Sequence, residues 1–99
     1  MTRIYIVMSK YEIKPYSYAK AKELGVTIQP SSHKDKKIDV YKNGKFLYAI
    51  GDISYDDYPT YLKTKGEQYA ETRRHLYRMR HKKDDVIGTR GWYALNILW

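Results

Sequence analysis

Apolar and polar positions change period several times along the chain, and each change marks an element. Arg3 to Met8 is dominated by β-branched and aromatic residues and reads as a strand, which Lys14-Pro15 breaks. Pro15 suits a first helical position. Tyr18, Ala21 and Leu24 then recur at helical spacing, Lys20, Lys22 and Glu23 take the wet side, and Gly25 supplies a left-handed stop. Val26 to Gln29 is a short strand ended by Pro30-Ser31-Ser32.

Between Ile38 and Ile50 two alternating runs flank Asn43-Gly44, the signature of a type I′ hairpin. With those two as loop residues, Lys42 faces Lys45, Tyr41 faces Phe46, Val40 faces Leu47, Asp39 faces Tyr48 and Ile38 faces Ala49. The pleat then puts Ile38, Val40, Leu47 and Ala49 on a core face, with Asp39, Tyr41, Phe46 and Tyr48 on the other. That second face is expected to pack under the C-terminal helix rather than to stand as an exposed platform.

After Gly51-Asp52 the period becomes helical. Asp56-Asp57-Tyr58-Pro59 is a helix start with carboxylates at the positive end of the dipole. Tyr58, Leu62, Tyr69, Leu76 and Met79 keep a heptad-like spacing, with Lys65 and Thr72 in the missing positions, which predicts one long helix through Lys83, kinked at Gly66. Arg73, Arg74, Tyr77, Arg78 and His81 fall on another sector, and Glu71 can pair with Arg74 or His75. Asp84-Asp85 and Gly88 close that helix. Thr89 can cap a last short helix that turns Trp92, Leu95 and Trp99 inward and folds back to close the core.

These elements define one small α+β domain over residues 1–99: an antiparallel sheet of three or four strands around the hairpin, packed against one long and two short helices. Ile4 to Met8 is too short for a signal peptide's apolar region or a membrane span. The absence of cysteine excludes a disulfide framework and thiolate metal sites and fits a reducing, intracellular setting, the cytoplasm or nucleus.

Charge narrows the class further, because 19 Lys and Arg against 11 Asp and Glu give a net +8 in two clusters. One holds Lys34, Lys36, Lys37, Lys42 and Lys45 with Asp35 and Asp39; the other, Arg73 to Lys83, holds six basic residues and no acid. Such clusters attract phosphate backbones, although a solvated face that keeps the chain soluble has the same composition. Twelve tyrosines supply rings suited to half-buried edges and to base stacking. The candidate nucleic-acid-binding set is therefore Arg73, Arg74, Tyr77, Arg78, His81, Lys82 and Lys83 on the helix, with Lys34, Lys36, Lys37, Lys42 and Lys45 around the hairpin.

Catalytic and metal chemistry finds little support in the pattern. His75 and His81 are six apart, not at the i, i+4 spacing of a helical metal site, and no cysteine is available to complete a tetrahedral set with His33. Asp39, Asp52, Asp56 and Asp57 could form a carboxylate cluster, but they read better as an exposed strand residue, a turn and a helix cap. The glycines are singletons, so there is no phosphate loop. A non-enzymatic protein without metal or cofactor is expected.

Four segments, Lys14 to Lys22, Leu24 to Ser31, Lys36 to Tyr41 and Asp57 to Leu62, stand out beside a tail of Tyr69, Arg73-Arg74, Tyr77, Arg80-His81, Asp84 or Asp85, Gly91-Trp92-Tyr93-Ala94 and Ile97-Leu98-Trp99. Together they resemble a family of small basic proteins of unknown function from large double-stranded DNA viruses of algae and amoebae. Val86-Ile87 stand where further Lys and Arg are expected. The resemblance implies a DNA-associated protein of the virion or of the host cytoplasm or nucleus, or else a minor structural component that contacts a capsid protein.

Overall fold

The computed structural model describes residues 11–99, so the strand expected at Arg3 to Met8 lies outside the described residues. Lys14 is extended ahead of Pro15, and α1 runs Pro15–Glu23. Its C-terminus closes with Gly25 N–H donating to Lys22 O and Val26 N–H to Ala21 O, the two bonds of a Schellman motif. The inward face is Ser17 and Ala21, while Tyr18, expected inside, is 48% exposed. The small face lets α1 approach the C-terminal segment closely enough for Ser17 Oγ to donate to Ile97 O at 2.8 Å.

Strands β1 (Thr27–Pro30), β2 (Lys36–Lys42) and β3 (Lys45–Asp52) form an antiparallel sheet in that order. Asn43 and Gly44 both have positive φ, as a type I′ turn requires, and the first two pairs, Lys42 with Lys45 and Tyr41 with Phe46, are the expected ones. The register then slips. Val40 pairs with Tyr48 and Ile38 with Ile50, leaving Leu47 as the extra residue of a bulge. The slip moves Ile50 onto the face of Ile38 and Val40, where all three are buried, and Tyr48 moves with it to meet Tyr93 at 5.9 Å. Ala49 goes to the face of Asp39. Core demand at Ile50 thus overrides the register that the turn alone would impose.

Asp57 caps α2 (Tyr58–Lys65), accepting from Thr60 N–H at 3.0 Å. The expected long helix is in fact two, because Gly66 at φ 90°, ψ 170° lies far from helical geometry, and α3 (Glu67–Arg80) starts in a new direction. Tyr58 OH donates to Glu71 Oε2 at 2.6 Å and the rings of Tyr61 and Tyr69 meet at 5.2 Å, so α3 runs back along α2.

Reversal of the chain also reverses the faces of α3. Its packed side is Ala70, Arg73, Arg74 and Tyr77, a helical i, i+3, i+4, i+7 set, whereas Tyr69, Leu76 and Met79 are 45%, 41% and 63% exposed. The arginines serve here because their guanidinium groups lie over tyrosine rings, Arg73 over Tyr61 at 5.9 Å and Arg74 over Tyr58 at 4.0 Å. A 3-10 turn at Lys82–Asp84 leads to α4 (Arg90–Ile97), which Thr89 caps from its side chain at 3.2 Å. Tyr93, Leu95, Ile97, Leu98 and Trp99 are buried, and Tyr58 N–H donates to Leu98 O at 3.1 Å, so the terminal segment is docked as expected. Trp92, expected inside, is only half-buried.

Candidate nucleic-acid interface

Strand alternation sends Lys37 and Asp39 to the side of β2 away from Ile38 and Val40, and each charge acquires its own buried environment. Lys37 Nζ donates to Asp57 Oδ2 at 2.9 Å, and Tyr11 OH donates to the same oxygen at 2.6 Å. Both members of the ion pair are buried. Burial alone would raise the Asp57 carboxyl, but the Lys37 ammonium and the three donated hydrogen bonds outweigh it and hold it below the ordinary carboxylate range. Burial first, and Asp57 second, push the Tyr11 hydroxyl far above the usual tyrosine range. Lys37 is therefore a correction to the expected phosphate contacts: the structure commits its charge to a buried carboxylate.

Asp39 is also a correction, since it is buried rather than exposed. The Ser31-Ser32-His33 turn folds over it, with Ser31 Oγ donating at 2.6 Å, Ser32 N–H at 3.2 Å and His33 Nδ1 lying 3.0 Å away. Desolvation opposes its charge, and these contacts reverse the balance and lower its pKa. His33 in turn stacks on Phe46 at 4.9 Å, and Tyr41 meets Phe46 edge-on at 5.8 Å. Part of the aromatic face expected under the C-terminal helix is thus a surface cluster beside the hairpin tip, with Phe46 45% exposed.

The opposite end of the hairpin opens on a cleft of about 480 Å³. Lys36, Lys37, Gly51 and Asp52 line it from the sheet, Tyr55 and Asp56 from the following loop, and Tyr61 from α2. Arg73, Tyr77, Arg80 and His81 enter from α3 and its end, with Ala94, Leu98 and Trp99 at the back. Tyr77 is sandwiched, 4.1 Å from Trp99 and 4.0 Å from His81, with interplanar angles of 7° and 17°. Burial, with Asp84 second, raises its hydroxyl pKa.

The cleft's cations differ in how far they are already neutralised. Lys37 belongs to Asp57, His81 Nδ1 lies 2.8 Å from Asp84 Oδ2, and Lys36 stands opposite Asp52 across the hairpin. Arg73 forms no ion pair with any described residue; its guanidinium lies over the Tyr61 ring at 5.9 Å, and its buried Nε meets no acceptor. Such a donor costs about 1–3 kcal/mol when left unsatisfied. Its neighbour Arg74 is the contrast, donating to both oxygens of Glu71 at 2.7 Å and sitting 4.0 Å over the Tyr58 ring. Glu71 is held below its ordinary range first by the Tyr58 hydroxyl and then by Arg74. Arg74 is thus part of the α2–α3 packing and is not a free contact.

Compared with protein-family models, curated proteins and solved structures, the chain finds no match. Of the residues expected to bind nucleic acid, Lys36, Lys37, Arg73, Tyr77 and His81 are brought together at the cleft. Arg78, Lys82 and Lys83 are exposed on α3 and the turn after it, and Lys34 is exposed before β2. Lys42 and Lys45 flank the hairpin turn; the strand rise of ~3.3 Å per residue puts them roughly 20 Å along the sheet from Lys36. Tyr55, Tyr61, Arg80 and Trp99 were not anticipated as site residues. The signal for Arg80 was its place in the basic run; for the rings there was none, since their convergence depends on the break at Gly66. Among the described residues no three His, Cys, Asp or Glu side chains gather as a metal site, and no helix is long and apolar enough to cross a membrane.

Proposed function

We propose that this chain is a non-catalytic nucleic-acid-binding protein, associated with the DNA of a large virus, whose contact surface centres on the cleft and extends over the exposed cations of α3 and, at the hairpin tip, Lys42 and Lys45. The observation that carries the reading is Arg73, a guanidinium without an ion-pair partner among the described residues, at an aromatic-lined cleft reached by both basic clusters. Arginine forks onto phosphate, and rings beside it offer stacking surface, a combination suited to a strand with accessible bases. Arg78, Lys82 and Lys83 would extend the positive track beyond the cleft. The viral setting rests on the resemblance of the quoted segments.

The test is a salt titration of binding to a mixed-sequence duplex and to a single strand. Affinity is expected to fall with salt at a slope near ~0.9 per duplex phosphate contacted and ~0.7 per single-strand phosphate. No binding to either at about 0.1 M salt, where the Debye length is ~10 Å, overturns the reading.

One observation favours the second reading, a virion component that docks on another protein. Met79, Val86 and Ile87 are 63%, 57% and 82% exposed near the end of α3 and in the following loop. Binding through these side chains would be nearly independent of salt and lost on their replacement by polar residues.

A further inference from the structure

We infer that the cleft is a pocket for one phosphorylated nucleotide, its ring against the aromatic wall and its phosphate on Arg73 and Arg80. The inference rests on the nucleic-acid reading and makes it specific. Four features carry it. The volume, about 480 Å³, lies in the range of small-ligand sites, roughly 300–1,000 Å³, and a continuous backbone track has no need of such a recess. The wall of Tyr61, Tyr77 and Trp99 is set in place by ring contacts at 6.3 Å and 4.1 Å; with His81 and Trp99 on the two faces of Tyr77, the wall offers a planar ligand preformed ring edges, and the open stacking face is that of Tyr55. Tyr55 stands at the mouth, 70% exposed, where it can close over a ring from the solvent side. Arg73 brings to the lining a guanidinium that forms no ion pair with any described residue.

The carboxylates in the lining set the ligand's charge. Asp52 and Asp56 share the cleft with Lys36, Arg73 and Arg80, while Lys37 and His81 face Asp57 and Asp84. That balance, three cations against two carboxylates, suits a single phosphate held in the cleft, and the two carboxylates can accept N–H groups from a base edge. The nucleotide can come from solution as a free monophosphate or from the phosphorylated end of a strand, and the chemistry at the cleft is the same.

Trp99 is in the cleft wall, so binding is read by tryptophan fluorescence and checked by calorimetry. The probes are AMP and GMP against adenosine and inorganic phosphate, and a short single strand with a 5′-phosphate against the same strand with a 5′-hydroxyl. AMP or GMP is expected to bind at least about tenfold more tightly than adenosine or phosphate alone, since ring and phosphate are engaged together. A matching preference for the 5′-phosphate strand assigns the site to strand ends; its absence, with AMP or GMP bound, assigns it to free nucleotide. Arg73→Met keeps an unbranched apolar stem without the guanidinium and should lose about tenfold or more of that affinity. Tyr55→Ala, at an exposed position, should lose several-fold with an unchanged melting temperature, which keeps the test open should Arg73→Met fail to fold. If AMP and GMP bind no better than adenosine and the 5′-phosphate is ignored, while salt-dependent binding to DNA persists, the pocket is refuted and the nucleic-acid reading stands. Loss of all binding refutes both.

Discussion

The two ends of the β2–β3 hairpin carry similar lysine-rich sequence and serve opposite purposes. At one end Lys36-Lys37 meets Gly51-Asp52, and α2 and the C-terminal segment pack over it, so that Lys37 is buried against Asp57 and Leu98 presses on Gly51. At the other, Lys42 faces Lys45 across the Asn43-Gly44 turn, and all four residues are exposed. Positive charge in this chain therefore has no fixed meaning. Where a carboxylate-capped helix start is near, a lysine becomes part of the core's polar lining; where only solvent is near, it remains available to a partner.

The largest effect that could break this contrast is at the buried pair. Asp57→Asn or Lys37→Met leaves one charge buried without its counter-ion and should cost about 3–5 kcal/mol in urea denaturation, the former also weakening the α2 cap. Lys42→Ala should stay within about 0.5 kcal/mol. Equal effects at the two ends would dissolve the distinction. Acid sharpens it: because the folded-state pKa of Asp57 is depressed, its stabilisation is present in full above the unfolded value, ~3.9, and is lost as pH falls through the folded one. Asp57→Asn should therefore flatten the acid limb of stability below about pH 4, and a limb of unchanged steepness would count against the pair. Asp39, also depressed, contributes in the same direction and limits the flattening to part of the limb.

A smaller contrast lies in the glycines. Both Gly51 and Gly44 hold positive φ, 79° and 77°, which a side chain disfavours by about 1–2 kcal/mol. A Cβ at Gly51 would also stand 2.7 Å from Leu98 Cδ1 and 2.9 Å from Lys37 Cδ, whereas at Gly44 nothing lies within 4 Å. Overpacking adds about 1–3 kcal/mol. Gly51→Ala should thus destabilise about 2–5 kcal/mol and Gly44→Ala only about 1–2 kcal/mol, measured by the same denaturation.

Why one end was legible in sequence and the other was not follows from the range of the interactions. The turn, the first two cross-strand pairs, the α1 stop, the caps at Asp57 and Thr89 and the docked C-terminal segment are set by neighbours or by terminal apolar content, and each has a residue signature. The bulge at Leu47 is set by Ile50, whose burial depends on partners far along the chain. The face of α3 is set by Gly66: a kink would have kept Tyr69, Leu76 and Met79 inward, but a full reversal presents Ala70 and Tyr77 instead. The cleft inherits that uncertainty, since Tyr61, Tyr77 and Trp99 meet only once the reversal is made. Arg73 and Arg74, adjacent and alike in sequence, then part company, one held by Glu71 and the other left facing the cleft.

The smallest expected effect concerns the exposed end itself. Lys42 and Lys45 are directly opposed on the hairpin, and like charges in that arrangement destabilise a strand pair. Lys45→Glu replaces repulsion with attraction and should raise stability by about 0.2–1 kcal/mol, an effect that salt diminishes. A lysine pair kept at a cost to the fold is one that a partner can use, so the same substitution should reduce DNA affinity and lower the salt slope by roughly one to two contacts' worth, ~0.9 each. A gain in stability with unchanged affinity and slope would remove the hairpin tip from the interface and confine binding to the cleft and α3. Lost affinity with no gain in stability would place a partner's phosphate at the tip while showing that the two ammonium groups do not repel each other across the turn.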